Sequence, residues 1–208
     1  GLSIQLCGFQ AIGRALPLLG SAIHGGHGDA EAQGHLRELL PGFGGQPGPG
    51  IGDIQRVLPA ESTFGRGALY ISGGSVATER NLELIHATAM LRLGATFARQ
   101  SVSDSISVKV IRINDDREAD FGAHIDECNG FIEEHIACGR SVLVHCGAGV
   151  SRSGAAVVAY LMLAKSLRYK DALEMARKAR EWVRPNDSFV AQLLRFEARL
   201  AESGHYKA

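Results

Sequence analysis

The ten residues His145-Cys146-Gly147-Ala148-Gly149-Val150-Ser151-Arg152-Ser153-Gly154 follow directly on the apolar run Ser141-Val142-Leu143-Val144. A short apolar run that ends in glycines reads as a buried strand, so the chain is expected to pass from strand to tight loop to helix. Gly147 and Gly149 let the backbone approach a ligand closely and adopt positive φ. The loop 147–152 can then turn its N–H groups inward where the helix begins, and those donors together with the positive end of the helix form a seat for an anion.

The same field acts on Cys146. Stacked amides and a helix N-terminus lower cysteine pKa values from about 8.5 to as low as ~3.5 to 7.5, so this residue is expected to be a nucleophile at neutral pH. Arg152 carries a planar fork of donors suited to two oxygens of a phosphoryl group, a geometry that Lys does not reproduce. Ser153 could donate its hydroxyl to the sulfur and make the thiolate a better leaving group.

The pattern His145-Cys146-x-x-Gly149-x-x-Arg152-Ser153 resembles the signature of the cysteine-dependent protein tyrosine phosphatases. Ala148 to Ser153, followed by Ala159-Tyr160-Leu161-Met162, is similar to the dual-specificity branch of that superfamily. The resemblance covers roughly Val57 to Glu202. Leu69 to Ala77 is similar to the family's first strand and turn, and Arg184-Pro185-Asn186-Asp187-Ser188-Phe189 with Gln192-Leu193 to its closing helix. It implies an α/β fold, a mostly parallel central sheet flanked by helices, with chemistry at the strand C-termini. It also implies phosphate binding by Gly147, Ala148, Gly149, Val150, Ser151 and Arg152. His145 would be a buried hydrogen-bonding residue that orders the loop. Neither metal nor cofactor is expected.

A proton donor for the leaving oxygen is needed as well, worth roughly 10² to 10⁴ in rate. Members of the branch carry this acid about thirty residues before the cysteine, and here 146 − 115 = 31 points to Asp115, with Asp116 as the neighbouring alternative. Both follow an alternating strand at 106–113 and so fall on a loop at a strand end. Asp120 precedes an amphipathic stretch with Phe121, Ile125, Cys128, Ile132 and Ile136 on one face and reads as an N-cap.

With 208 residues, 45% hydrophobic and 21% charged, the chain can bury one substantial core. Its formal net charge of zero gives no general attraction to nucleic acid or to an anionic membrane. Cysteines 7, 128, 138 and 146 show no Cys-x-x-Cys spacing, and the histidines are scattered apart from His24, His27 and His35, so a structural zinc site is not expected. This usage fits a reducing compartment, cytoplasmic or nuclear, where an exposed low-pKa thiol is active but open to peroxide.

Thirteen of the twenty-six glycines fall in residues 1–50, which read as an extension ending in a linker, ahead of a catalytic domain at 51–208. Leu2 to Leu19 is apolar but broken by Gln5, Gly8, Gln10, Gly13, Arg14 and Pro17, so it is neither a membrane span nor a clean signal segment; N-terminal targeting stays open. Within the domain, strands are expected at 68–72, 95–99 and 106–113, and helices at 76–93, 153–167 and 171–183. A last helix at 188–202 would be set off by Pro185-Asn186-Asp187.

The substrate expected is a phosphoprotein bearing phosphotyrosine or phosphoserine/phosphothreonine. No Lys stands in the loop to meet the extra phosphates of an inositol lipid, and Ser151 stands where glucan phosphatases usually carry Gly. A non-protein phosphomonoester is the alternative, and a non-catalytic phosphoprotein-binding scaffold a further one, although such scaffolds typically lose the Cys or Arg that this chain keeps. Between Lys165 and Arg184 seven basic residues face three acidic ones, a run that reads as a solvated helix face; the resemblance, in which some members carry an Arg in this helix, makes Arg180 the candidate for a second phosphate contact. The oligomeric state is not legible.

Overall fold

A computed structural model describes residues 54–61, 65–94 and 102–206. Five strands, β1 (Gln55–Leu58), β2 (Leu69–Gly73), β3 (Ala87–Leu93), β4 (Ser107–Ile111) and β5 (Ser141–Cys146), form one sheet in the order β1-β2-β5-β3-β4. Only β1 runs antiparallel to its neighbour; β2, β5, β3 and β4 are mutually parallel. The family's expected architecture is therefore present, with the loop-bearing strand β5 at its centre.

Among the described residues five helices accompany the sheet: α1 (Glu79–Leu84), α2 (Ile125–Ala137), α3 (Arg152–Ala164), α4 (Tyr169–Ala179) and α5 (Asp187–Glu202). Alternate strand residues face opposite ways, and this splits the core in two. Leu69, Ile71, Leu91, Val142 and Val144 pack with α2 to α5, whereas Tyr70, Met90 and Leu143 pack with Val76, Leu82 and Ile85 on the other side. Helix α3 is the centre of the larger layer. Its run Gly154-Ala155-Ala156 has little bulk, so neighbours come close: a Cβ on Gly154 would lie 2.9 Å from Val183 Cγ1.

The helix expected at 76–93 does not exist as one element. A 3₁₀ turn at Gly74–Val76 leads into the six-residue α1, whose cap Thr78 accepts from Asn81 N–H at 3.3 Å. His86 then takes a left-handed φ of 51°, and the chain enters β3. Six of the seven residues of β3 are buried. A strand covered on both faces shows no alternation, and a continuous apolar run fits either periodicity. Pairing with β5 and β4 decides in favour of the strand.

The strand expected at 95–99 lies outside the described residues. The remaining elements stand near their expected positions, with ends moved by a few residues. Asp120 is not the N-cap: Phe121 holds that position in the 3₁₀ turn Gly122–His124 that feeds α2, and the Asp120 side chain, one residue earlier, accepts from Ala123 N–H at 3.1 Å. Asn186 caps α5, its Oδ1 accepting from Phe189 N–H at 2.9 Å. Among the described residues no helix is long and apolar enough to cross a membrane.

Candidate active site

Strand β5 carries Cys146 to its C-terminal end, opposite Gly73 of β2. The thiol is free and its residue only 1% exposed, at the floor of the loop 147–151. Gly149 N–H donates to Sγ at 3.2 Å, and Ser153 Oγ lies 3.2 Å from the same sulfur. The Ser153 hydroxyl is thus within hydrogen-bond distance of the sulfur, and one loop amide stands on the sulfur itself.

The loop takes this shape because of its glycines. Gly149 has φ +71°, and a Cβ there would come within 2.6 Å of Gly73 N and of the Ser72 carbonyl. Gly147 C=O accepts from Gly74 N–H at 2.9 Å, which fastens the start of the loop to the end of β2. Val150 C=O accepts from Arg184 N–H at 3.0 Å on the far side. Ser151 precedes α3, yet its side chain does not cap that helix. The hydroxyl reaches outward instead, donating to Asp115 Oδ1 at 2.6 Å and accepting from Asn186 N–H at 3.1 Å.

Asp115 and Asp116 are separated by their surroundings. Asp115, on the loop after β4, receives Ser151 Oγ and also Asn186 Nδ2 at 2.9 Å, and its Oδ2 lies 3.5 Å from Arg152 Nε. Asp116 turns back into its own loop, where Oδ1 accepts from Ala119 N–H at 2.9 Å. Thus Asp115 stands beside the loop 147–151 and Asp116 is spent on a turn. Arg152 has only long contacts, at 3.5 Å to Asp115 and 3.5 Å to the Ile113 carbonyl, which leave its fork of donors available for an anion.

His145 points to the opposite face of the sheet from the Cys146 sulfur and is fully buried. Its Nδ1 is 3.4 Å from the Cys146 carbonyl, a contact that requires the proton on that nitrogen. Burial holds the imidazole neutral, with its pKa pushed down to about 4.

Arg180 is not placed as a second phosphate contact. Its residue is 3% exposed and lies beneath the loop, with Nε donating to the Gly149 carbonyl at 2.8 Å and Nη2 to the Ala148 carbonyl at 3.1 Å. Nη1 donates to Gln55 Oε1 at 2.6 Å. The backbone turns extended at Arg180 (φ −141°, ψ 101°), so α4 ends and the side chain swings under the loop rather than over its mouth.

Sequence reasoning missed three members of this assembly. Asn186 was legible only as a helix cap, Ser151 only as a source of backbone, and Gln55 not at all. A cavity of about 490 Å³ lies elsewhere, between Leu58, Arg66, Glu133, Tyr160 and Leu163, and has no part in this chemistry. Among the described residues no group of three or more His, Cys, Asp or Glu side chains could hold a metal ion.

Residues 69–199 match the family model described as dual specificity phosphatase, catalytic domain. Dual specificity protein phosphatase 1B of Arabidopsis thaliana is 38% identical over 127 residues, which are 60% of this chain and 75% of that protein. Dual specificity protein phosphatase 5 of Rattus norvegicus is 37% identical over 119 residues, 57% of this chain, and the chain spans only 31% of that relative's length. The crystal structure of human DUSP28 superposes with a TM-score of 0.64 at 26% identity, covering 74% of this chain and 97% of that one.

Proposed function

The chain belongs to the dual specificity phosphatase family, and on that premise we propose that it hydrolyses phosphotyrosine and phosphoserine/phosphothreonine in proteins through a phosphocysteine on Cys146. The observation that carries this reading is the sulfur's setting: a loop amide and a hydroxyl both stand 3.2 Å from it, beneath a guanidinium that only long contacts engage. Such donors stabilise a thiolate and, later, the equatorial oxygens of a transferring phosphoryl group.

The reaction has two steps. The Cys146 thiolate attacks phosphorus in line, forming the S–P bond as the P–O bond to the leaving group breaks, while Asp115 protonates the departing oxygen. Water then attacks the phosphocysteine. Ionised Asp115 takes its proton, inorganic phosphate leaves, and the Ser153 hydroxyl stabilises the released thiolate. Arg152 and the amides of 147–152 bear the charge throughout. The same Asp115 carboxyl gives up a proton in the first step and takes one in the second.

The catalytic unit is 51–208, with 1–50 appended to it, and a reducing compartment such as the cytoplasm or nucleus would keep the thiol active. The test is turnover of phosphotyrosyl and phosphothreonyl peptides, with a phosphoinositide and a phosphorylated glucan as rivals in the same assay. Hydrolysis of the peptides, abolished in Cys146→Ser and indifferent to EDTA, is the expected result. Preference for either rival would reassign the substrate, and phosphopeptide binding without turnover would leave a scaffold.

A further inference from the structure

We propose that Arg180 is a positioning residue for the nucleophile, acting on the Cys146 sulfur through the peptide unit that joins Ala148 to Gly149. A trans peptide aims its carbonyl and its N–H in opposite directions. In this unit the Ala148 carbonyl accepts from Arg180 Nη2 at 3.1 Å, and the Gly149 N–H donates to Cys146 Sγ at 3.2 Å. The guanidinium therefore sits on the far end of the dipole whose near end touches the sulfur.

Two effects follow. Hydrogen-bonded units in series polarise one another, so a cation on the carbonyl makes the N–H a better donor to a thiolate. Orientation is the second. A loop that turns its amides inward must turn carbonyls outward, and buried carbonyls need partners. Arg180 serves two consecutive ones, Ala148 and Gly149, while Gln55 on β1 fixes the other edge of the fork. Gly149, at φ +71°, is the point where the loop reverses, so these bonds hold the reversal in place.

Among the described residues the charged and titratable groups around the sulfur, besides Arg180, are few. Arg152 and Asp115 stand at the mouth, neutral His145 faces the other side of the sheet next to Arg92, and Ser153 lies on α3. None of these touches the outward carbonyls. Removing Arg180 changes the loop from below and leaves the mouth groups in place.

The inference rests on Cys146 as the nucleophile, and its test reads the sulfur directly. Arg180→Lys keeps a charge but loses the fork; Arg180→Met keeps length and loses both. Iodoacetamide alkylation of Cys146 against pH, and orthovanadate affinity, are measured on the full chain, with folding checked by circular dichroism. Both variants are expected to move the alkylation inflection alkaline by about half a pH unit or more, Met further than Lys, and to weaken vanadate about tenfold or more. A folded Lys variant with the wild-type inflection and wild-type vanadate affinity overturns the proposal, even where the Met variant fails to fold. Should the wild-type chain hydrolyse no phosphomonoester, the proposed function falls, and the alkylation profiles still decide the role of Arg180.

Discussion

Ser151 Oγ donates to Asp115 Oδ1 at 2.6 Å, so the loop around Cys146 and the loop after β4 are joined by a hydrogen bond. Asn186 secures both partners, through its backbone N–H to Ser151 and its amide to Asp115. Three segments distant in sequence thus meet beside the loop that follows Cys146. Each can be probed separately.

Asp115→Asn is expected to slow hydrolysis of phosphopeptides and other esters with poor leaving groups by about 10² to 10⁴ while affecting p-nitrophenyl phosphate much less. Asp116→Asn, which keeps the Oδ1 acceptor for Ala119 N–H, should stay close to wild type on both. Steady-state kinetics across a leaving-group series checks this. Equal losses on all esters for Asp115→Asn, or a larger leaving-group effect for Asp116→Asn, would move the role.

Gly149→Ala would drive a methyl to within 2.6 Å of Gly73 N and the Ser72 carbonyl, at a φ of +71° where side chains are strained. Those obstacles are backbone and cannot swing aside. The loop must open, taking the Gly149 N–H from the sulfur, and turnover should drop by about 10²-fold or more. Vanadate titration of the folded variant gives the same answer without substrate.

Asn186→Ala removes a helix cap and a donor to Asp115 in one change. Losing the cap costs about 1 kcal/mol of stability, to be read by urea unfolding. The kinetic signature differs: kcat on poor leaving groups should fall more than kcat on p-nitrophenyl phosphate. A uniform loss tracking the unfolded fraction would reduce Asn186 to a cap alone.

His145 makes stability depend on pH. Its pKa falls from the usual 6.5 to about 4 on folding, because burial disfavours the imidazolium. Between these values the unfolded chain binds more protons than the folded one, so stability rises with pH through this window and is lost on acidification. The loss should reach at most about 3 kcal/mol on going from above pH 6.5 to pH 4. Urea unfolding at pH 7 and at pH 4.5 measures it, and a folded His145→Gln variant should show a flatter dependence.

How much was legible varies along the chain for physical reasons. The strand, loop and helix around Cys146 could be read directly, since glycines, a buried apolar run and an Ala-rich stretch carry their conformations locally. So could the cap at Asn186, which acts three residues ahead. Strand β3 could not be told from a helix, because burial on both faces erases the alternation that identifies a strand. Arg180 was misjudged for a related cause: the resemblance implied a phosphate partner, but where a long side chain points depends on how the chain leaves α4.

The amino-acid order by itself determined the reagents: a thiol, a guanidinium, a hydroxyl and the glycines of one loop lie within ten residues and are positioned by neighbouring backbone. The tertiary structure alone decided how they are supported. Asp115 meets Ser151 across 36 positions and Asn186 across 71, while Arg180 reaches Gln55 across 125. Contacts of that span leave no local pattern, because they form only when the sheet and its helices bring distant segments together.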